Sequence, residues 1–398
     1  MYPNYSQNVF KRIFVEHWVE YQGSSQENQR GYYDEVVKKM LGCADPENGY
    51  KSYRCLWCGE VKKVPFSCKS SFCLTCAKIY TDDWVNYISR TLFPGVRYRH
   101  IVLTVPEFLR KYFYQKDDDL LDAFMRTGHI FYQDAASTWL KTEVEVGGGV
   151  VLQTAGRSSN FNPHLHILGT SGGKTKDGQW KEFGYIDFNL FHTKWQYHLL
   201  KMLRENVKSD SIEEEIDRCW KDYPKGLVAY IEKGDVPKGG KGLAYYIAKY
   251  VVSPPIAMGR IIKYDGKNVR YWYNDHTTEA KVEEEVDALT FIGRMVQHIL
   301  PKGFQRIRYY GLHGTCKASK VREELKELLG DTDEPVTGTY KVTGYRERIK
   351  KSFGKDPLSC PKCGHEMEYE GTWHPDYGWI VDNWDDLFRE EIGVNDYG

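Results

Sequence analysis

The feature that most constrains this chain is the spacing of its cysteines: ten are present, in two clusters plus the isolated Cys219. The first cluster, YRCLWCGEVKKVPFSCKSSFCLTC, contains Cys55-x2-Cys58 and Cys73-x2-Cys76, with Cys68 between them and Cys43 upstream. Each CxxC turn folds two thiolates toward one point, and two such turns complete the tetrahedral sulfur shell of a structural Zn²⁺ site. The spacing predicts zinc at Cys55, Cys58, Cys73 and Cys76, with Cys43 and Cys68 as substitutes or members of a second site. The C-terminal cluster, Cys360-Pro-Lys-Cys363-Gly-His365, supplies one more knuckle. His313 and Cys316 are the candidates to complete a zinc site there, and His365 and His374 compete for its fourth position. Thiols serve as metal ligands rather than disulfides in a reducing compartment. The N-terminus MYPNYSQNVFKRIFVEHW lacks the apolar core of an export signal, which predicts a cytoplasmic protein. No apolar run approaches the ~18 residues of a membrane span, so no membrane partner is expected.

Fifty-five basic residues balance fifty-five acidic ones, but the charges are segregated. Lys51 to Leu92 holds seven Lys/Arg against three Asp/Glu, whereas Asp376 to Gly398 holds seven acids and one arginine. An acidic tail cancels a basic body, and net neutrality does not exclude a polyanionic partner.

Hydrophobic periodicity organises the rest. Apolar residues at helical spacing predict two helices in 5–42 and another leaving the cysteine-rich module. RHIVLTVP (Arg99 to Pro106) reads as a buried strand stopped by proline, with helices filling 107–140. VEVGGGVVLQT (144–154) and PHLHILGT (163–170) read as neighbouring strands, followed by helical character over 189–222. The glycine-rich KGDVPKGGKG (233–242) leads into a helix, LAYYIAKYVV, ended by Ser253-Pro254-Pro255. RIIKY and VRYWY flank Asp265-Gly266 as a hairpin. The run from Gly169 to Thr175, GTSGGKT, is one residue too short for a nucleotide-triphosphate loop and precedes no helix; it reads as a hairpin loop. The expected fold class is α+β, divided as 1–92 (helical and zinc-binding), 93–260 (sheet and tyrosine helix) and 261–398 (C-terminal region with a second zinc site and the acidic tail).

Two pairs of residues carry chemistry. His164 and His166 lie two apart on a strand, so both imidazoles face one way. Gln153 on the preceding strand either adds a carboxamide ligand or makes a strand-edge hydrogen bond. As a ligand it gives a mixed N/O seat suited to Mg²⁺ or Mn²⁺. Tyr246 and Tyr250 lie four apart on the predicted helix and stack their phenols on one face. A phenolate positioned beside a metal-polarised phosphodiester is a competent nucleophile. Lys238 and Lys241 in the glycine-rich run, with Lys249 on the helix, are candidate phosphate contacts. In FQRIRYY (304–310), Arg306 and Arg308 interleave with aromatics, a pattern that serves either unpaired bases and phosphates or an amphipathic buried strand.

Taken together, these segments resemble the insertion sequence 91 family of rolling-circle transposases. The resemblance rests on CADPENGYKSYRCLWCG with FSCKSSFCLTC, HIVLTVP, GGVVLQTAGRSSNFNPHLHILG, LAYYIAKYVVSPPIAMGRI, HILPKGFQRIRYYGLHG and CPKCGHEM. It implies a zinc-binding DNA-recognition module and a ferredoxin-like nuclease domain whose antiparallel sheet bears the metal histidines His164 and His166. It further implies nucleophilic tyrosines at Tyr246 and Tyr250. The implied activity is nicking and rejoining of single-stranded DNA at transposon ends, hairpins included, through a 5′-phosphotyrosine, followed by transfer to target DNA on the bacterial nucleoid. A replication initiator or relaxase would use the same histidine pair. A non-catalytic zinc-ribbon DNA-binding protein would use the cysteines alone.

Overall fold

Asn8 starts the first helix by accepting a hydrogen bond from the Lys11 N–H at 3.2 Å, satisfying an amide that a helix start leaves open. The structure, a computed structural model, describes residues 8–115, 118–184, 188–231, 254–275, 278–329 and 356–382, together with 346–347, 349–350 and 354. Helices α1 (Val9–Gly23) and α2 (Gly31–Leu41) are the two expected before the cysteines. Phe10, Ile13, Phe14 and Trp18 share the buried side of α1, where Phe10 and Phe14 meet Phe72 at 5.7 and 5.6 Å. Strands β1 (Tyr50–Arg54) and β2 (Val61–Pro65) form a hairpin whose turn carries Cys55 and Cys58. Helix α3 (Leu74–Thr91) leaves directly from Cys73.

Next come β3 (Tyr98–Thr104), the short α4 (Arg110–Tyr114) and the long α5 (Asp118–Leu140), as the periodicity predicts. Strands β4 (Val144–Glu145), β5 (Gly147–Ala155) and β6 (Phe161–Thr170) follow. The run from Gly169 to Thr175, expected as a hairpin loop, is mostly strand: Gly169 and Thr170 end β6, and Gly172–Thr175 form β7, which pairs with β8 (Trp180–Glu182), so only Ser171 lies between strands. The helical stretch over 189–222 is two helices, α6 (Phe188–Asn206) and α7 (Ile212–Asp222), because Ser209-Asp210-Ser211 interrupts it with turn formers. Strand β9 (Ala229–Ile231) closes this region. The glycine-rich run and the following helix lie outside the described residues, and with them Tyr246, Tyr250, Lys238, Lys241 and Lys249.

The expected hairpin is present as β10 (Ile261–Tyr264) and β11 (Asn268–Asn274). Gly266 takes φ +97° in its turn, and the Asp265 carboxylate accepts from the Lys267 and Asn268 amides at 2.9 and 2.8 Å. Strand β12 (Lys281–Asp287) extends that sheet. Helix α8 (Ala288–Val296), capped by Asp287, packs on α1. Then come β13 (Ile307–Gly311), α9 (Ala318–Leu329), β14 (Glu368–His374) and β15 (Gly378–Asp382). The fold is α+β, and no helix among the described residues is long and apolar enough to cross a membrane.

Two sheets position the candidate sites. The central one has strand order β13-β5-β6-β3-β9 with every neighbour antiparallel. One of its faces sends Ile101, Leu103, Val150, Leu152, Leu165 and Ile167 into a core shared with α5 and α6. The opposite face carries the histidines. The second sheet, β15-β14-β1-β2, is assembled from both ends of the chain: β14 pairs with β1 across more than three hundred residues. The pairing of β1 with β14 therefore crosses the expected divisions at 92 and 260.

The glycines of β5 are required by this packing. A Cβ on Gly148 would stand 2.2 Å from the Leu168 carbonyl oxygen, and one on its partner Gly169 would stand 2.3 Å from the Tyr132 ring of α5. Backbone cannot turn aside as a side chain can. Gly148→Ala is therefore expected to destabilise the protein by about 1–3 kcal/mol, read as a lower midpoint in urea with unchanged zinc content.

Candidate functional site

His164 and His166 sit on β6, and register explains their surroundings. Gln153 of β5 and Thr104 of β3 flank His164 directly, while Val151 and Val102 flank His166. Directly opposed residues in an antiparallel pair share a face, so Gln153 and both imidazoles stand together, as expected. The two rings lie 4.9 Å apart. His164 uses Nδ1 to donate to the Asn162 carbonyl at 2.7 Å, and His166 Nδ1 lies 2.9 Å from His100 Nε2. With both Nδ1 atoms engaged, Nε2 is the atom each ring can offer to a cation. Burial lowers the pKa of both, and His166 is lowered further by its neighbours His164 and His100. Both are thus neutral, the form that binds metal. Gln153 is buried, and its Oε1 accepts from the Thr154 N–H at 3.1 Å, which orients the carboxamide. Among the described residues, His, Cys, Asp and Glu ligand atoms converge only at two cysteine quartets. Two neutral imidazoles and a carboxamide oxygen make a mixed N/O donor set able to hold a divalent cation.

The cysteines pair differently from the expected site at Cys55, Cys58, Cys73 and Cys76. Cys43, Cys68, Cys73 and Cys76 form one quartet, and Cys55, Cys58, Cys360 and Cys363 the other, with the sulfurs of each within 4.8 Å of one another. In the first, Cys43 and Cys76 approach to 3.5 Å, and the Cys68 N–H donates to Cys43 Sγ at 3.3 Å. Its sulfurs lie at the N-terminal turn of α3, and Lys11 Nζ donates to the Cys43 carbonyl at 2.6 Å. Helix polarity and ammonium charge both favour thiolates there.

The second quartet joins two equivalent knuckles. In each, a glycine at positive φ follows the CxxC, Gly59 at +74° and Gly364 at +81°. Each glycine N–H also donates back to the first cysteine's carbonyl, at 2.8 Å to Cys55 and 3.0 Å to Cys360. The pairing of β14 with β1 delivers Cys360 and Cys363 to Cys55 and Cys58, which leaves Cys73 and Cys76 for Cys43 and Cys68. His313 and Cys316 do not join a metal site. His313 is buried with Nε2 2.9 Å from the Tyr98 hydroxyl, and Cys316 is exposed. His365 stacks on Trp57 at 4.6 Å, and His374 accepts from the Asp376 N–H; neither belongs to a quartet.

Burial, helped by the Arg322 charge, pushes His313 down to about 3. An imidazole held neutral in the fold protonates in the unfolded chain below its ordinary 6.5. The unfolded state then binds more protons, so stability rises with pH between those values and is level above them. Lowering pH from 7 to 5 should remove about 2 kcal/mol through this residue. The stability gap between wild type and His313→Gln should shrink by that amount over the same interval, as measured by urea melts.

A cavity of ≈ 1060 Å³ opens between the first quartet's loop, α3 and the sheet edge, with Gln153 in its wall. Trp84 and Tyr87 line it from α3, and Arg306, Arg308 and Tyr309 from the region of β13. Tyr87 and Tyr309 meet edge to face at 6.1 Å, and Tyr87 remains 49% exposed. Burial lowers Arg306 to about 10, still cationic at neutral pH. Arg308 forms an ion pair with Asp122, so its charge is partly committed within the fold. The FQRIRYY run thus supplies an edge strand of the central sheet and part of the wall of a cleft lined by arginines and aromatic rings.

Two buried histidines escaped the sequence reading. His100 contacts His166, and His298 places Nδ1 3.2 Å from Thr154 Oγ1 and Nε2 3.1 Å from the Ser159 carbonyl, bracing the loop between β5 and β6. Alternation in RHIVLT places His100 opposite the core face, a signal that was available for the first; the second had none.

Comparison with known proteins returns two family models in tandem. A transposase zinc-binding domain matches residues 13–105, and a putative transposase model matches residues 147–320. The transposase for insertion sequence element IS801 of Pseudomonas savastanoi pv. phaseolicola is 28% identical over 384 residues, covering 93% of this chain and 91% of that protein. Putative transposase y4qJ of Sinorhizobium fredii (strain NBRC 101917 / NGR234) is 25% identical over 325 residues, covering 78% and 81%. No solved structure matches the chain.

Proposed function

The chain belongs to the insertion sequence 91 family of transposases, and from that premise we propose that it nicks and rejoins single-stranded DNA at transposon ends through a 5′-phosphotyrosine. The observation that carries this reading is the pair of neutral imidazoles on one sheet face, each with Nδ1 engaged, beside a carboxamide in the wall of a cationic cleft. His164, His166 and Gln153 would hold Mg²⁺ or Mn²⁺, which supplies charge neutralisation at the scissile phosphate. Tyr246 or Tyr250 is the nucleophile. The phenol gives its proton to water as its oxygen forms a bond to phosphorus, the bond from phosphorus to the 3′-oxygen breaks, and that oxygen takes a proton from water to leave as a 3′-hydroxyl. One phosphodiester replaces another, so a 3′-hydroxyl of target DNA reverses the step without ATP.

The cleft accounts for the choice of single strands. Tyr87 and Tyr309 present ring surface to unpaired bases, and Arg306 and Arg126 line the path of the phosphates toward Gln153. Lys238, Lys241 and Lys249 add phosphate contacts from the tyrosine segment. The two cysteine quartets hold structural zinc and fix the DNA-recognition module against the nuclease sheet. Transposon-end hairpins are the substrates, and the work takes place on the bacterial nucleoid.

Incubation of the protein with single-stranded end DNA and Mn²⁺ is the test. A denaturation-resistant protein–DNA adduct, lost on chelation, is expected. Binding without any adduct on verified end sequences would overturn the nuclease reading in favour of a zinc-dependent DNA-binding module.

A further inference from the structure

His100 occupies β3 two positions before Val102, the residue paired with His166, so it is the diagonal cross-strand neighbour of that imidazole. The rings lie parallel, 5.1 Å apart with 9° between planes, and His100 Nε2 is 2.9 Å from His166 Nδ1. Both side chains are almost completely buried, at 1% and 4% exposure. A histidine in this position has two uses: it joins its neighbour as a ligand, or it stands behind it. The first is disfavoured by geometry. His100 turns Nε2 to the Nδ1 edge of His166, and the ligand atoms of His100, His164 and His166 do not converge as a group of three.

We infer that His100 is a positioning residue for the catalytic metal, accepting the Nδ1–H of His166 and so fixing that ring's orientation and tautomer with Nε2 directed to the ion. The proton assignment follows from the chemistry. An imidazole that donates the Nε2 lone pair to a cation carries its proton on Nδ1, so the 2.9 Å contact needs an acceptor on the other side, and His100 Nε2 is that acceptor. The partner is a neutral ring rather than a carboxylate, which raises the basicity of His166 less. His164 obtains the same service from the backbone carbonyl of Asn162. This inference rests on the nuclease reading only for the identity of the ion.

The test compares two amides at one position in the full, zinc-loaded chain. The amide of glutamine reaches about as far as an imidazole Nε2, whereas that of asparagine reaches only about as far as Nδ1. His100→Gln can therefore accept from His166, and His100→Asn cannot, although both bury similar polarity. Mn²⁺ affinity is read from the loss of the free-ion electron paramagnetic resonance signal, with the His164→Ala/His166→Ala double variant as baseline. His100→Asn should weaken binding about 10- to 100-fold, and His100→Gln should restore it to within about threefold of wild type.

Equal affinities for the two variants would overturn the inference. If both matched wild type, the hydrogen bond would carry nothing; if both were equally weak, ring packing would be the cause. Wild-type binding no stronger than the double-alanine baseline would overturn it as well. Failure here is distinguishable from failure of the function: Mn²⁺ binding that follows this order without any DNA adduct sinks only the nuclease reading. Adduct formation with indifferent His100 variants sinks only the positioning role.

Discussion

Replacing Tyr246 and Tyr250 together by phenylalanine is expected to reduce adduct formation on single-stranded end DNA by at least about 10³-fold, the scale seen when a covalent nucleophile is removed. Affinity for the same oligonucleotide should stay within about tenfold, because two phenol hydroxyls contribute hydrogen bonds of roughly 1 kcal/mol each. The split between chemistry and binding is what identifies a nucleophile. The single variants refine the assignment: a chain with one tyrosine should still form an adduct, whereas two breaks in one binding event need both. Adduct at wild-type level in the double variant would show that another side chain attacks. Tyr245, about 100° around the same predicted helix, is then the first to examine.

The second large effect concerns zinc. Cys363→Ser should lower the metal content from two zinc ions per chain to one and release the C-terminal strands to protease, with cleavage appearing near Lys350 and Lys362. The physical reason is chain entropy. Cys58 and Cys360 are separated by 302 residues, and closing a loop of that length costs about 5 kcal/mol before any contact is made. The second quartet offsets this because ligation energy, about 10–16 kcal/mol in small zinc modules, appears as folding energy. The pairing of β14 with β1 and the Arg54–Glu370 ion pair at 2.7 Å then add to a geometry already closed. Cys73→Ser should be worse. Its quartet lies inside the core formed by α1, α2 and α8, so losing it should lower the melting temperature of the N-terminal module rather than free one end. Elemental analysis and limited proteolysis of the two variants check the ranking, and the reverse order would contradict it.

Local physics was readable in the sequence, and long-range pairing was not. The helices of 5–42, the β5–β6 neighbours, the Asp265-Gly266 turn and the shared face of His164 and His166 all follow from periodicity and turn chemistry within about a dozen residues. The cysteine partners do not, because nothing in the spacing of Cys55 and Cys58 points to residues three hundred positions away when Cys73 and Cys76 stand close by. A local signal did exist. Cys58 and Cys363 are each followed by glycine and Cys76 by Ala77, so two knuckles with left-handed exits could have been matched and the helix-starting pair set apart. His100 was hidden for a related reason: its partner is 66 residues on, and one histidine alternating with apolar neighbours looks like any strand residue. Arg306 and Arg308 show the limit of composition, since only the fold shows that both line the cleft and that Arg308 is also paired with Asp122.

The central claim is that the histidine face of the β-sheet and the tyrosine segment act on one phosphate. Mass spectrometry of the trypsin-digested adduct tests it most directly, because cleavage after Lys241 and Lys249 places Tyr246 and Tyr250 on separate peptides, 242–249 and 250–260. Nucleotide mass on Tyr246 or Tyr250, absent when His164 and His166 are both alanine, is the predicted result. A nucleotide attached elsewhere, or attached to these tyrosines regardless of the histidines, would contradict it.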